Sequence, residues 1–549
     1  MSDPLITEQE RLQFHRIDKE SVEFLHRKYN NIGRWVVADI IRRSAYRYPN
    51  KPALIYKNHV YTYRELDQKV TQVANALLSL GLQKYERVAI LAHNTAHHVL
   101  AWLGTARAAG VYLAINYLLT GKDIAYCINH SESKIFIVED ALWPQVKEVV
   151  GDMPGVRTFI WSDQGLGDPA PEGWLSFDQW FQEADVNEQY VEMDIHDPVQ
   201  MVYTSGTESL PKAVVLTNQS LISQYVSCTI DGNYTPDDIC VNALPIFHCA
   251  QRDVFLTPCF MVGATNVLLF QAEPGAMLDA VEKHHATMLF CPPTVWIGLL
   301  RHPGSEKYDL SSLGKCYYGA SIMPVEVLKE LLERIPGARF YNYYGQTELS
   351  PYHTMLRPEE HQARIGAAGK GGLNMETRLE DEDHRPVGAG VPGEICGRGP
   401  HVMLMYFKDP EKTDEAFAGG WFHSGDMGLA DEENYITVVD RKKDMVKTGG
   451  ENVSSREVEE VVYCDPRVAE VAVVGLKHEK WIEAVTAFVV PKPGVQVNEA
   501  EIMALCRERL AGFKAPKGVV VVNQLPKTPT GKILKRDLRQ LYHDYYRGS

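Results

Sequence analysis

The run Tyr203-Thr204-Ser205-Gly206-Thr207-Glu208-Ser209-Leu210-Pro211-Lys212 gathers hydroxyls, a glycine and a terminal cation directly after the strand-like segment PVQMVY. Backbone N–H and side-chain O–H groups crowded in this way suit phosphate oxygens, and Lys212 adds positive charge. By composition it is a phosphate loop. It is not a Walker A loop, because Pro211 stands five residues after Gly206 where G-x-x-x-x-G-K-[ST] needs its second glycine. Taken alone, the same residues would more often make a polar surface turn. Gly388-Ala389-Gly390-Val391-Pro392-Gly393 satisfies G-x-G-x-x-G, but it runs into strand-like GEICG where a dinucleotide fold needs a helix, so it reads as a turn. The chain has neither H-E-x-x-H nor G-x-S-x-G, the nuclei of zinc proteases and serine hydrolases.

Five further stretches accompany the loop: Leu244-Pro245-Ile246-Phe247-His248; Tyr344-Gly345-Gln346-Thr347-Glu348; Trp421-Phe422-His423-Ser424-Gly425-Asp426; Asp440-Arg441-Lys442-Lys443-Asp444 running on to Lys447-Thr448-Gly449-Gly450-Glu451-Asn452; and Pro529-Thr530-Gly531-Lys532. In order and approximate spacing they resemble the adenylate-forming superfamily of acyl-CoA synthetases, luciferases and peptide-synthetase adenylation domains, over most of the chain. The resemblance implies an ATP-dependent enzyme that converts a carboxylic acid to its acyl-AMP with release of pyrophosphate and then transfers the acyl group to coenzyme A. Carboxylate and triphosphate repel each other, so attack at the α-phosphate needs cations that neutralise charge and hold the partners in line.

By the same resemblance, Lys532 bridges the carboxylate and the α-phosphate, Thr347 contacts that phosphate, and Glu348 with Thr204 holds Mg²⁺, a hard ion suited to oxygen donors. Thr204, Ser205, Gly206, Thr207 and Lys212 cradle phosphate. Asp426 is suited to accept from both ribose hydroxyls and Arg441 to donate to the same sugar. Tyr344, with Gly345 and Gln346 after it, lies near the adenine, whose rim Gly319, Ala320 and Ser321 complete. His248 stands beside the acyl carboxylate, unless it is an ordinary hydrogen-bonded structural histidine. Lys443 is the hinge, and the turn Gly449-Gly450-Glu451 faces the coenzyme A side. The chain departs from the family pattern at Glu208, Ser209 and Ala213 of the loop and at Met405; Glu208 is expected to face outward, because a carboxylate among phosphates is electrostatically unfavourable.

To position these residues the chain alternates helix-like and strand-like segments. TYRELDQKVTQVANALLSLG is amphipathic, ERVAILAHN reads as a buried strand, and AWLGTARAAGVYLAIN as helix then strand. The grammar is βαβ, so the expected fold class is α/β: a large N-terminal body of βαβ-type subdomains with largely parallel sheets, and a β-rich subdomain from about Thr377. A small mobile α+β domain follows, with helix SSREVEEVVYCD, strands VAEVAVVGL and AVTAFVV, helix EAEIMALCRERLAG and strand GVVVVNQLP. The expected domains are 1–440, binding ATP and the acyl substrate, and 441–549, carrying the hinge, the coenzyme A-side loop and Lys532.

The chain's 549 residues exceed what one hydrophobic core organises. With 56 Lys and Arg against 71 Asp and Glu, its net charge of -15 offers no basic face for nucleic acid. The ten cysteines form no C-x-x-C pair, and the polar N-terminus lacks the pattern of a signal peptide, so a cytoplasmic protein with reduced thiols is expected. No apolar run reaches a membrane span; peripheral membrane contact and a homodimer are both left open. Within the resemblance, peptide-synthetase domains that select amino acids usually carry an Asp just after the Phe of the pocket motif, whereas here Phe247 runs on to His248-Cys249-Ala250-Gln251, which disfavours an amino-acid substrate. The segment KKDMVKTGGENVSSREVEE is most like that of fatty acyl-CoA synthetases, so a medium- or long-chain fatty acid is the expected substrate, with an aryl or short-chain acid as the alternative, or a nucleotide-binding protein without turnover.

Overall fold

The computed structural model describes residues 7, 10, 13–15, 17–204, 211–321, 323–449, 451–527 and 533–547. Its N-terminal body is built on two largely parallel sheets. In the nine-stranded sheet, Pro52–Tyr56, Thr265–Leu268, Ile239–Asn242, Met288–Phe290, Lys315–Gly319 and Arg339–Tyr344 lie side by side and parallel. In the eight-stranded sheet, Pro198–Thr204, Val111–Ala114, Arg87–Leu91, Ile135–Glu139 and Thr158–Ser162 form the parallel centre. The strand Lys212–Thr217 folds back antiparallel on Pro198–Thr204, and Met405–Tyr406 adds antiparallel at its edge.

Helices cover the sheets because their apolar residues recur at helical spacing. In Tyr63–Ser79, Leu66, Val70, Val73, Ala74 and Leu77 are buried, and Thr62 caps the N-terminus by accepting from the Glu65 N–H at 3.2 Å. Burying each large aliphatic side chain contributes about 1.5–3 kcal/mol. The helix packs against Ala96–Arg107 in one core that also takes residues from the eight-stranded sheet.

The expected β-rich part is a four-stranded antiparallel sheet of Glu376–Glu380, Gly393–Arg398, Phe422–Ala430 and Ile436–Arg441. Gly388–Gly393 is the turn leading into its second strand, with Gly390 at φ 76°. Beyond it, Val446–Thr448, Glu451–Val453, Val468–His478, Ile482–Pro491 and Gly518–Val521 form a separate five-stranded sheet. The helices Ser455–Tyr463 and Glu499–Arg509 share a valine-rich core with that sheet.

The divide placed between 440 and 441 falls at the end of the strand Ile436–Arg441. Contacts cross it, because Asp440 Oδ2 accepts from both the N–H and the hydroxyl of Ser455 at 2.6 Å; on the far side Lys535 reaches the Ser455 hydroxyl at 2.5 Å and Glu459 at 2.7 Å. Ser454 caps the following helix by accepting from the Glu457 N–H at 3.3 Å, and the Glu457 carboxylate pairs with Lys514 at 2.7 Å. No helix among the described residues is long and apolar enough to cross a membrane.

Candidate functional site

The strands Lys315–Gly319 and Arg339–Tyr344 are parallel neighbours, so the segments after their C-terminal ends lie together, the usual place for ligands in an α/β sheet. Gly319 is paired with Tyr343; Ala320 and Ser321 follow it, exposed, with Ala320 at φ 62°. From the neighbouring strand, Tyr344 donates its hydroxyl to Asp426 Oδ2 at 2.8 Å. Burial first, then the Asp426 carboxylate, raises the Tyr344 pKa and keeps the phenol a donor. Gly345 is required by close approach: a Cβ there would meet the Pro351 carbonyl oxygen at 1.9 Å. Gln346 precedes a single helical turn, Thr347–Leu349.

Asp426 is aimed by a bulge. His423 lies opposite Cys396 and Met427 opposite Glu394, so four steps along one strand face two on the other. Gly425 sits in the excess at φ 73°, and its N–H donates to Glu394 Oε1 at 2.9 Å. Across the next strand pair Asp426 faces Arg441, whose Nε is 3.3 Å from Asp426 Oδ1. The expected ribose pair is therefore assembled, with Tyr344 as its third member. Asp426 as a whole residue is 6% exposed.

The phosphate side is built on the hairpin Pro198–Thr204 and Lys212–Thr217. Its connecting residues Ser205, Gly206, Thr207 and Glu208 lie outside the described residues. Thr204 and Lys212 are cross-strand partners at the end of the hairpin where the connecting residues join the strands. Lys212 Nζ lies 5.0 Å from the centre of the Tyr406 ring, and the Tyr406 hydroxyl donates to Glu348 Oε1 at 2.8 Å. Burial, and after it the Glu348 carboxylate, raises the Tyr406 pKa. Tyr406 thus links the two expected charged groups, and no motif marks it. Its signal is strand alternation: Met405 packs against the sheet core, and Tyr406 takes the opposite side. Ala213 is buried opposite Tyr203, where a methyl fits the sheet.

His248 and Cys249 precede a π-type helical segment, Ala250–Leu256. His248 Nδ1 accepts from the Ala250 N–H at 3.1 Å. Cys249 Sγ lies 3.3 Å from the Thr347 hydroxyl; burial, then Asp253, pushes its thiol up to about 12, so it is no nucleophile. The segment is anchored by groups that sequence reasoning missed. Asn94 accepts from the Ile246 N–H at 2.8 Å, and fully buried Arg252 pairs with Asp253 at 2.9 Å. Behind it Phe255 stacks on Phe290 at 4.4 Å and Tyr317 on Tyr341 at 4.9 Å, with Tyr343 and Tyr234 filling the same buried cluster.

Lys443 is exposed in the turn between the four-stranded and C-terminal sheets, where the Asp444 and Met445 N–H groups both donate to the Arg441 carbonyl. Gly449, at φ 61°, and exposed Glu451 flank the tight turn of the hairpin Val446–Thr448 and Glu451–Val453; Gly450 and Lys532 lie outside the described residues.

Comparison with known proteins agrees with this architecture. Residues 41–407 match the family model described as AMP-binding enzyme, and residues 457–532 match that of the AMP-binding enzyme C-terminal domain. The chain is 32% identical over 511 residues to a feruloyl-CoA synthase from an Amycolatopsis species, covering 93% of this chain and 99% of the relative. It is 30% identical to a long-chain-fatty-acid–CoA ligase of Bacillus subtilis, covering 91% and 93%. A solved anthranilate CoA ligase in complex with anthranoyl-AMP superposes with a TM-score of 0.86 at 26% identity, covering 92% of this chain and 97% of that one. Its fold is that of the adenylate-forming enzymes. The chain belongs to the AMP-binding enzyme family, as an AMP-forming acid–CoA ligase.

Proposed function

We propose that the chain activates a compact carboxylic acid, aromatic or short, and passes it through the acyl-AMP to coenzyme A. The observation that carries this choice over a medium- or long-chain fatty acid is the aromatic packing behind His248. Ala250, two residues on from His248, packs against the cluster of Phe255, Phe290, Tyr317 and Tyr343, in which these four rings are at most 7% exposed. A long acyl chain entering there would have to displace several stacked rings, whereas a planar ring can lie against them. Asp253, the acidic residue nearest in sequence to His248, is bound by Arg252, so no carboxylate from this segment is left for a substrate ammonium.

In this reading Asp426 and Arg441 hold the ribose, and Tyr344, Gly345 and Gln346 with Gly319, Ala320 and Ser321 frame the adenine. Thr347 contacts the α-phosphate, while Thr204, Ser205, Gly206, Thr207 and Lys212 cradle the phosphates. The imidazole of His248 orients the acid, and Lys532 bridges carboxylate and phosphate. The oxygen donors on Glu348 and Thr204 fit Mg²⁺, which would neutralise charge on the triphosphate. A panel of acids scored by pyrophosphate release tests the assignment. Benzoate, cinnamate and short-chain analogues are expected to exceed palmitate in kcat/KM; the reverse ranking would restore the fatty-acid reading.

A further inference from the structure

Outside the nucleotide-facing residues, the four-stranded sheet collects a second set of chemically active side chains. Strand register brings them together. Glu380 lies opposite Glu394, Cys396 follows Glu394 by two residues on the same face, and Cys396 lies opposite His423. The donor atoms of Glu380, Cys396 and His423 all fall within 4.8 Å of one another. Glu380 is 1% exposed, and its Oε2 is buried without a hydrogen-bond partner, although its Oε1 is held by Arg378. A buried carboxylate oxygen left unpaired is costly. It points at two imidazoles: His423 Nε2 is 3.6 Å away and His384 Nδ1 is 3.7 Å away.

We propose that Glu380, Cys396, His423 and His384 form a binding site for a zinc-type divalent cation, behind the bulge that aims Asp426. Tetrahedral zinc with bonds of about 2.0–2.3 Å places neighbouring donors roughly 3.3–3.8 Å apart, and both Glu380–imidazole separations fall in that range. The cysteine sulfur and the two imidazoles favour a borderline-soft metal over Mg²⁺ or Ca²⁺. His423 Nδ1 lies 3.4 Å from both Glu394 Oε2 and Cys396 Sγ, so when Cys396 turns from Nδ1 to the metal, Glu394 remains as the outer support such a ligand needs. Binding through Nε2 would exchange the present contact of that nitrogen with the Ala418 carbonyl, 3.0 Å, for the metal. The charges also balance. A dication offsets the Glu380 carboxylate and the Cys396 thiolate, whose proton is released on binding, while Arg378 and Lys442 remain paired with Glu380 and Glu394.

The test uses the whole protein, stripped with chelator and titrated with ZnCl₂ and, in parallel, CoCl₂. One equivalent of Zn²⁺ should bind and survive gel filtration. The cobalt form should show thiolate-to-metal charge transfer with tetrahedral ligand-field bands. Cys396→Ala and Glu380→Gln should abolish stoichiometric binding. Cys464→Ala, which removes the exposed cysteine, should keep it. Glu394→Gln, which leaves every ligand in place, should weaken binding about tenfold. Failure of the wild-type protein to take up Zn²⁺, a cobalt spectrum without the thiolate band, or unchanged affinity in Cys396→Ala would each overturn the proposal.

Discussion

Asp426 is served by two donors, the Tyr344 hydroxyl on one oxygen and the Arg441 guanidinium on the other. Each holds the carboxylate for the ribose in the proposed site, so each can be removed separately. Tyr344→Phe deletes one hydrogen bond to a charged acceptor, worth about 1.5–3 kcal/mol, and should raise KM for ATP at least about tenfold. Asp426→Asn should cost about a hundredfold in kcat/KM for ATP, with little change in KM for the acid. Steady-state kinetics with ATP varied check both, and an unaltered KM for ATP in the two variants would remove Asp426 from the nucleotide site. The pair Asp426 and Arg441 was legible because both sit in recognisable stretches. Tyr406 and Glu394 were not: each acts on a motif residue from another strand, and only register and a bulge bring them there.

Local backbone demands separate a functional turn from a look-alike. At Gly345 an added methyl would run into the Pro351 carbonyl oxygen, and the strand-to-turn passage holding Tyr344 and Thr347 cannot yield without moving both. Gly345→Ala should therefore destabilise the protein by about 2 kcal/mol or more and lower activity further. Gly388→Ala, in the G-x-G-x-x-G look-alike, adds a methyl with nothing within 4 Å and should shift stability by no more than about 0.5 kcal/mol. Thermal melts of the two variants decide the matter, and equal losses would mean that the second turn has a role the packing does not show. Strands and helices of the body were readable because burial imposes periods of 2 and 3.6, as in Arg87–Leu91 and Tyr63–Ser79. The bulge at Ser424–Asp426 carries no such period. Gly425 alone hints at it, and its φ of 73° explains why glycine is there.

Across the whole molecule, four histidines, His98, His353, His361 and His401, are buried, and burial lowers the pKa of each. Burial pushes His98 and His353 down to about 3 and His401 down to about 4, against an ordinary value of 6.5. The unfolded chain binds these protons first, so the stability they lend is complete above pH 6.5 and lost as pH falls toward 4. At pH 5 the loss should be on the order of 1–2 kcal/mol per histidine, and His401→Asn should flatten part of the slope of Tm against pH. The connection between the body and the C-terminal unit makes the larger claim. In the proposed cycle Lys532 serves adenylation, the Gly449–Glu451 turn serves thioester formation, and a swing about Lys443 exchanges them. Asp440 lies on the body side of that hinge, whereas Ser455 and Lys535 lie beyond it, so the swing must break the 2.6 Å bonds from Ser455 to Asp440. Asp440→Asn should weaken the arrangement observed here and move the two half-reactions in opposite directions. Lys532→Ala should lose acyl-AMP formation yet still convert supplied acyl-AMP to the thioester. Lys443→Pro should impair thioester formation more than adenylation by stiffening the turn. Single-turnover assays started from ATP or from synthetic acyl-AMP read each step alone, and a parallel fall of both half-reactions in all three variants would show that the C-terminal unit does not alternate.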